Sequence, residues 1–219
     1  MRNEKKFIIS QSQFSTLKIL LSSNSFVECF PKRKISSLYY DTNDLKLFYA
    51  SEDGISSRQK IRIRWYNDEL ISSRVEYKIK NAELGDKIFY AISDFDKKEL
   101  SKISFANSNM NSPNPYFVPT KIDKFYFPKT LISYKRNYYL KDNLRITYDS
   151  SINFYSVLNN YKEIKVLYPI PSEYSVLEVK YEEGEDNLVY KTIQNLTDRL
   201  GLTLTRFSKY SNSIKSIYL

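Results

Sequence analysis

In Lys60-Ile61-Arg62-Ile63-Arg64-Trp65 a cation stands at every even position and an apolar residue at every odd one. Successive side chains of a strand point to opposite faces, so Lys60, Arg62 and Arg64 share a face. Val75-Glu76-Tyr77-Lys78-Ile79-Lys80 repeats the scheme, as do Leu144-Arg145-Ile146-Thr147-Tyr148-Asp149 and Leu177-Glu178-Val179-Lys180-Tyr181. Near the start, Glu4 and Lys6 take one face while Phe7 and Ile9 take the other, and Tyr134 with Arg136 makes a further pair. Guanidinium and ammonium groups on one face are phosphate-binding chemistry. Glu4, Glu76 and Glu178, set among them, suit a hard divalent cation, because Mg²⁺ or Mn²⁺ is typically held through one or two carboxylates plus substrate phosphates.

The composition narrows the chemistry. Histidine is absent, which removes Ser-His-Asp and Cys-His catalysis, His-ligated zinc and imidazole acid–base work. The chain has four glycines and no GxGxxG or GxxxxGK[ST], so Rossmann and P-loop nucleotide sites are disfavoured. Cys29 is the single cysteine, so no intramolecular disulfide forms and a reducing compartment is expected. No signal-type apolar core follows Met1-Arg2-Asn3-Glu4-Lys5-Lys6 and no run is long enough to span a membrane. The expectation is a soluble, cytoplasmic protein. A net charge of +9 favours a polyanionic partner, although Lys, Asn, Ser and Tyr also accumulate by drift in AT-rich genomes.

Any one alternating strand is explained by a wet face and a dry face. Five or six strands sharing the pattern are harder to dismiss. Helices pack on the apolar faces, so the charged faces collect on the other side of the sheet, and they line a lumen if it closes. Like charges crowded there repel strongly, which is tolerable where a dense anion normally sits. The expected architecture is mainly β: an eight-stranded antiparallel closed barrel with a few helices, in one domain over 1–219. Helices are predicted along Phe14, Leu17, Leu20 and Leu21 behind a Ser10 or Ser12 cap, along Phe95, Leu100 and Ile103 after Asp94, and along Val189, Ile193, Leu196 and Leu200, with Gly201 past the end. Residues 107–119 read as an exposed loop, Asp41-Thr42 as a strand-end turn, and Lys32-Arg33-Lys34 as a solvated run. Trp65 and the tyrosines are read as packing rather than base-stacking platforms.

These residues, in order, resemble the VTC domain, the polyphosphate polymerase domain of the vacuolar transporter chaperone family, within the CYTH-like triphosphate tunnel metalloenzymes. The resemblance is carried by Arg2-x-Glu4-x-Lys6, Tyr39-Tyr40-Asp41-Thr42, Lys60-x-Arg62-x-Arg64, Glu76-x-Lys78, Tyr134-x-Arg136, Arg145-x-Thr147, Glu178-x-Lys180 and Phe207-Ser208-Lys209-Tyr210. It implies transfer of the ATP γ-phosphoryl group to a polyphosphate chain with Mn²⁺ or Mg²⁺. It further implies phosphate-holding roles for Lys6, Arg62, Arg64, Lys78, Arg136, Arg145, Lys180 and Lys209. Tyr134, Ser208 and Lys87 would add substrate contacts, and Glu178, aided by Glu4 and Glu76, would hold the metal.

Two departures stand out. The hydrolytic relatives carry Glu-x-Glu-x-Lys, and here Arg2 replaces the first acid, which leans away from hydrolysis. Where the family often has Lys-x-Arg, Lys87-Ile88-Phe89 keeps only the lysine. The competing expectations are a metal-dependent triphosphatase or polyphosphatase of the same fold, and a non-catalytic binder of polyphosphate, inositol phosphates or nucleic acid. ATP and polyphosphate are the expected partners rather than nucleic acid, and a membrane protein is an expected candidate for recruiting the chain.

Overall fold

Alternation becomes strand wherever it occurs in the computed structural model, which describes residues 2–82, 84–101, 104–105, 121–160, 163–182 and 186–219. The expected loop at 107–119 and Ile103 lie outside the described residues. The strands are β1 (Arg2–Ile9), β2 (Val27–Asp41), β3 (Ser57–Tyr66), β4 (Glu69–Asn81), β5 (Leu84–Ala91), β6 (Ser104–Phe105), β7 (Phe127–Lys141), β8 (Leu144–Asn160), β9 (Glu163–Pro171) and β10 (Ser175–Glu182). The helices are α1 (Gln11–Ser23), α2 (Lys46–Glu52), α3 (Asp94–Ser101), α4 (Asp186–Leu200) and α5 (Lys209–Tyr218). Contacts group the chain into two compact units, each built from separate stretches.

The first unit holds Met1–Arg33, Tyr134–Ile152 and Ser172–Phe207. Its strands β1, β10 and β8 pair antiparallel, with Phe7 opposite Leu177 and Val179 opposite Ile146. The odd positions of β1 and β10 and the even positions of β8 form one apolar face. Helices α1 and α4 bury their stripes in the same cluster, through Leu17, Leu21, Val189, Ile193 and Leu196. Each such side chain contributes about 1.5–3 kcal/mol on burial. Ser10 caps α1 in a capping box with Gln13. Gly201 follows α4 with φ +61°, the left-handed position a C′ glycine takes.

The second unit holds Lys34–Ser133, Asn153–Pro171 and Ser208–Leu219. Here β2, β3, β4 and β5 pair antiparallel in that order. Asn67 and Asp68, both at positive φ, make the tight β3–β4 turn, as the primed hairpin turns require. An odd-numbered register slip between Tyr66 and Arg64 then matters: Tyr66 faces Glu69, but Arg64 faces Arg74 and Arg62 faces Glu76. A slip of odd length moves every side chain of a strand to the other face. It therefore brings the even positions of β3 and β4 together. The opposite face carries Ile61, Ile63, Trp65 and Val75 into a second core with Leu38, Tyr40 and Leu47.

The fold is thus a mainly β, largely antiparallel sheet with helices. Two expectations need correction. Ten strands rather than eight are present among the described residues, because the 17-residue β8 runs on past Ser151 to pair with β9, and β9 pairs parallel with β6. The pairings among the described strands also have two ends: β1 pairs with β10, with a single further bridge from Phe7 to Leu204, and β5 pairs with β4, so they do not form the closed barrel. Helices α2 and α5 were not expected.

Candidate phosphate-binding site

Each unit gathers its charges into a partly buried cluster around the buried Glu178 or Glu76, described in turn.

In the first unit, register builds two rows across the strands: Lys6–Glu178–Thr147 and Glu4–Lys180–Arg145. The ammonium of Lys180 bridges Glu4 Oε2 at 3.3 Å and Glu178 Oε1. Lys6 Nζ lies 2.9 Å from Glu4 Oε1 and donates to the Phe207 carbonyl at 3.3 Å. Arg136, on β7, donates in a fork to the fully buried Asp149, Nε to Oδ1 at 2.5 Å and NH2 to Oδ2 at 2.7 Å. The same NH2 reaches Glu178 Oε2 at 3.5 Å. The Tyr134 ring lies 5.4 Å from the guanidinium carbon and backs it. Burial alone would push the Glu178 carboxyl up, but Lys180, Arg136 and Lys6 hold it well below the usual carboxylate range. Burial opposes the charge on Arg136 too, yet Asp149 keeps the guanidinium firmly protonated.

In the second unit, three rows cross β3, β4 and β5: Lys60–Lys78–Lys87, Arg62–Glu76–Phe89 and Arg64–Arg74–Ala91. Six cations in these rows face one carboxylate. Glu76, 1% exposed, receives Arg62 Nε at 2.7 Å and Arg74 Nε at 3.1 Å, with Arg64 at 3.7 Å and Lys87 at 3.5 Å. Burial would raise its carboxyl, but Arg62, Arg64 and Lys87 hold it at about 2. Arg62 NH1 also donates to the Tyr39 hydroxyl at 2.7 Å. Burial works against ionisation of that phenol, yet Arg62, Arg64 and Lys60 bring it down to about 8. Burial, with Arg62 and Arg64 nearby, lowers Lys87 to about 8 despite Glu76. Lys60 donates to Ser208 Oγ at 2.8 Å, and Ser208 caps α5, which begins at the half-buried Lys209.

The expected site residues therefore fall into two groups. Glu4, Lys6, Tyr134, Arg136, Arg145, Glu178 and Lys180 belong to the first unit, and Arg62, Arg64, Glu76, Lys78, Lys87, Ser208 and Lys209 to the second. Glu4, Lys78 and Lys87 are the more exposed members. Glu76, expected as a metal ligand, lies among four cations, and a divalent ion there would add to the positive crowding. Glu4 and Glu178 do converge on one cationic atom, the Lys180 ammonium, which stands where a hard cation would find two carboxylate ligands. That number fits Mg²⁺ or Mn²⁺ completing its shell from phosphate. No group of three acidic, His or Cys side chains able to hold a metal occurs among the described residues.

Three residues were missed from the sequence. Asp149 stands in the alternating pattern, but its partner Arg136 is on another strand. Arg74 joins Glu76 by simple parity, two positions away. Tyr39, on the face of Ser37 and Asp41, stacks on Tyr210 with ring centres 5.0 Å apart. Asp41 and Thr42 make the expected turn, with the Thr42 amide donating to Asp41 Oδ1 at 2.7 Å, and Asp41 also receives the Tyr210 hydroxyl. Trp65 is core, as expected. Lys32 and Lys34 are exposed, and Arg33 lies over the Phe30 ring at 5.2 Å.

The VTC domain profile matches residues 1–218. The chain belongs to the VTC domain family. Several solved structures share its fold over nearly the whole chain. One similar structure is a candidate adenylyl cyclase from Hippeastrum, described as having a dominant triphosphatase activity (TM-score 0.56, 15% identity, covering 100% of this chain and 98% of that one). Another is a candidate adenylate cyclase from Bacillus halodurans (0.55, 14%, 99% and 96%). A third is a protein of Pyrococcus horikoshii OT3 (0.52, 14%, 99% and 99%). At these identities the likeness is one of fold. No curated protein matches the chain significantly. No helix among the described residues is long and apolar enough to cross a membrane.

Proposed function

We propose that this VTC domain, acting as one domain over 1–219, is an ATP-dependent polyphosphate polymerase: it transfers the γ-phosphoryl group of ATP to the end of a polyphosphate chain. The observation that carries the reading is the second cluster, where four cations crowd one buried carboxylate and Lys60 and Lys78 extend the same rows across three adjacent strands. Like charges directly opposite one another in a sheet are destabilising. Lys60, Lys78 and Lys87 stand in one such row. A polyanion would add negative charge to this row.

The first unit carries groups suited to the same chemistry. A divalent metal, Mn²⁺ or Mg²⁺, would be held by Glu178 with Glu4, and it would neutralise charge on phosphate oxygens. Lys6 and Lys180, which contact those carboxylates now, would turn to phosphate when the substrate enters. Arg136, locked by Asp149 and backed by Tyr134, presents a guanidinium of fixed orientation. Arg145 follows on the same face. In the second unit Arg62, Arg64, Lys78, Lys87 and Lys209 hold phosphate oxygens, with Ser208 among them.

Phosphoryl transfer needs positioning and charge stabilisation rather than a covalent nucleophile, so the absence of histidine is no obstacle. The bond between the γ-phosphorus and its bridging oxygen breaks, ADP leaves with the electron pair, and a terminal phosphate oxygen of the acceptor forms the new P–O–P bond. A chain held by many cations keeps phosphate rather than water next to the reacting phosphorus.

Incubation with ATP and Mn²⁺, followed by gel separation of polymer and assay of ADP and orthophosphate, tests this. Polymer in step with ADP is the expected result. Orthophosphate in step with ADP and no polymer makes the protein a triphosphatase, and no turnover with any nucleotide or metal makes it a polyanion-binding module.

A further inference from the structure

We propose that the hydroxyl of Thr147 is a substrate-binding group, donating to a phosphate oxygen of a bound triphosphate or polyphosphate; this rests on the polyphosphate reading above and deepens it. Thr147 stands on the charged face of β8, directly opposite Glu178 and in the row that begins with Lys6. The residue is 2% exposed, and its Oγ1 is buried with no hydrogen-bond partner. A buried hydroxyl without a partner costs stability, which is why nearly all of them have one.

The acceptors nearest in the row are already taken. Glu178 faces the Lys180 ammonium with one oxygen and Arg136 with the other. Asp149, two positions along β8, gives both oxygens to the Arg136 fork. The hydroxyl is thus left over at the centre of the cluster, where every neighbouring carboxylate is neutralised by a cation. Valine has nearly the same shape and is at least as suited to a strand. It would fill the position without the cost, so the hydroxyl has a use that the ligand-free chain does not show. When a polyanion draws Lys180 and Lys6 toward its oxygens, a phosphate oxygen arrives beside Thr147, and the donor finds its acceptor. A neutral donor there also adds hold without adding positive charge.

The test is tripolyphosphate binding by titration calorimetry, with thermal melts of the ligand-free full chain, for the parent protein, Thr147→Val and Thr147→Ser. The expected result for Thr147→Val is a melting temperature equal to or above the parent's and an affinity weaker by about tenfold or more, the loss of a hydrogen bond to a charged acceptor. Thr147→Ser, which keeps the hydroxyl, is expected to bind like the parent. Parent-like affinity in Thr147→Val overturns the proposal and leaves the hydroxyl to a buried water. A lowered ligand-free melting temperature with unchanged affinity overturns it in favour of a structural role. Should the valine variant not fold, Thr147→Ala gives the same comparison. If the parent itself does not bind tripolyphosphate, the polyphosphate reading fails, and this proposal with it.

Discussion

Glu76→Gln separates the two roles a buried carboxylate in a basic site can have. Four cations surround Glu76, and the side chain is 1% exposed. Its carboxyl is held from 4.5 down to about 2 even though burial opposes its charge. At about 1.4 kcal/mol per pH unit, the charged form is favoured in the folded chain by on the order of 3 kcal/mol. For a domain of this size each kcal/mol moves the melting temperature by about 2–4 °C, so Glu76→Gln is expected to melt about 6–12 °C lower at neutral pH and low salt. Because the folded value is depressed, this stability is fully present above pH 4.5 and is lost as pH falls through about 2. The variant lacks that acid-dependent step. Tripolyphosphate, which replaces the missing negative charge and binds only the folded form, is expected to raise the melting temperature of the variant more than that of the parent. Differential scanning calorimetry with and without tripolyphosphate reads both effects. An unchanged melting temperature, or a ligand response no larger than the parent's, refutes the counter-charge role. Loss of metal dependence with undiminished stability would restore Glu76 as a metal ligand.

Tyr39 and Lys87, both near 8 and below their ordinary 10.0 and 10.5, give a pH signature. At these two groups the unfolded chain binds more protons between pH 8 and 10, so their contribution to the stability of the ligand-free protein rises across that window. Toward pH 10 it is opposed by buried tyrosines such as Tyr139, whose phenol is pushed up to about 12. Tripolyphosphate affinity falls across the same window, because the face loses a cation and gains a phenolate. Tyr39→Phe is expected to flatten part of both curves in pH-resolved melts and titrations, and identical curves would exclude Tyr39. Arg136→Ala strands the buried Asp149 and is expected to cost about 3–5 kcal/mol, with Asp149→Asn recovering part of it in chemical denaturation. Glu178→Gln is expected to abolish the Mn²⁺ dependence of turnover while tripolyphosphate still binds; metal dependence that survives would move the metal elsewhere.

Much of this was legible in sequence because period-two alternation encodes both the strand and its faces. Lys60 through Trp65 and Leu177 through Tyr181 lie as their pattern predicts, apolar residues in the cores and charges on the other side. The caps of α1 and α4 were legible for the same local reason: Ser10 and Gly201 act on the residues next to them. What escaped depends on distant partners. Helix α2 is seven residues long, and its first amides are held by Asp41, which accepts from Leu47 and Phe48 at 2.9 Å. Helix α5 is rich in serine and is seated by Thr130 against Ser213 and by Tyr210 against Asp41. Tyr210, Ile214, Ile217 and Tyr218 do stand at helical spacing, a signal that was overlooked. Which cations surround Glu76 was not legible, because the register slip beside Tyr66 decides which residues face it. The β8–β9 extension depends on pairing that alternation alone does not specify.

The central claim is that the basic faces bind polyphosphate, and calorimetric titration with tripolyphosphate at low and moderate salt, with and without Mn²⁺, tests it most directly. The account predicts saturable binding at about one tripolyphosphate per chain, tightened by Mn²⁺ and weakened only modestly by salt, since buried charges are screened less than exposed ones. Binding of many tripolyphosphates per chain that collapses with salt, or no binding at all, would contradict it.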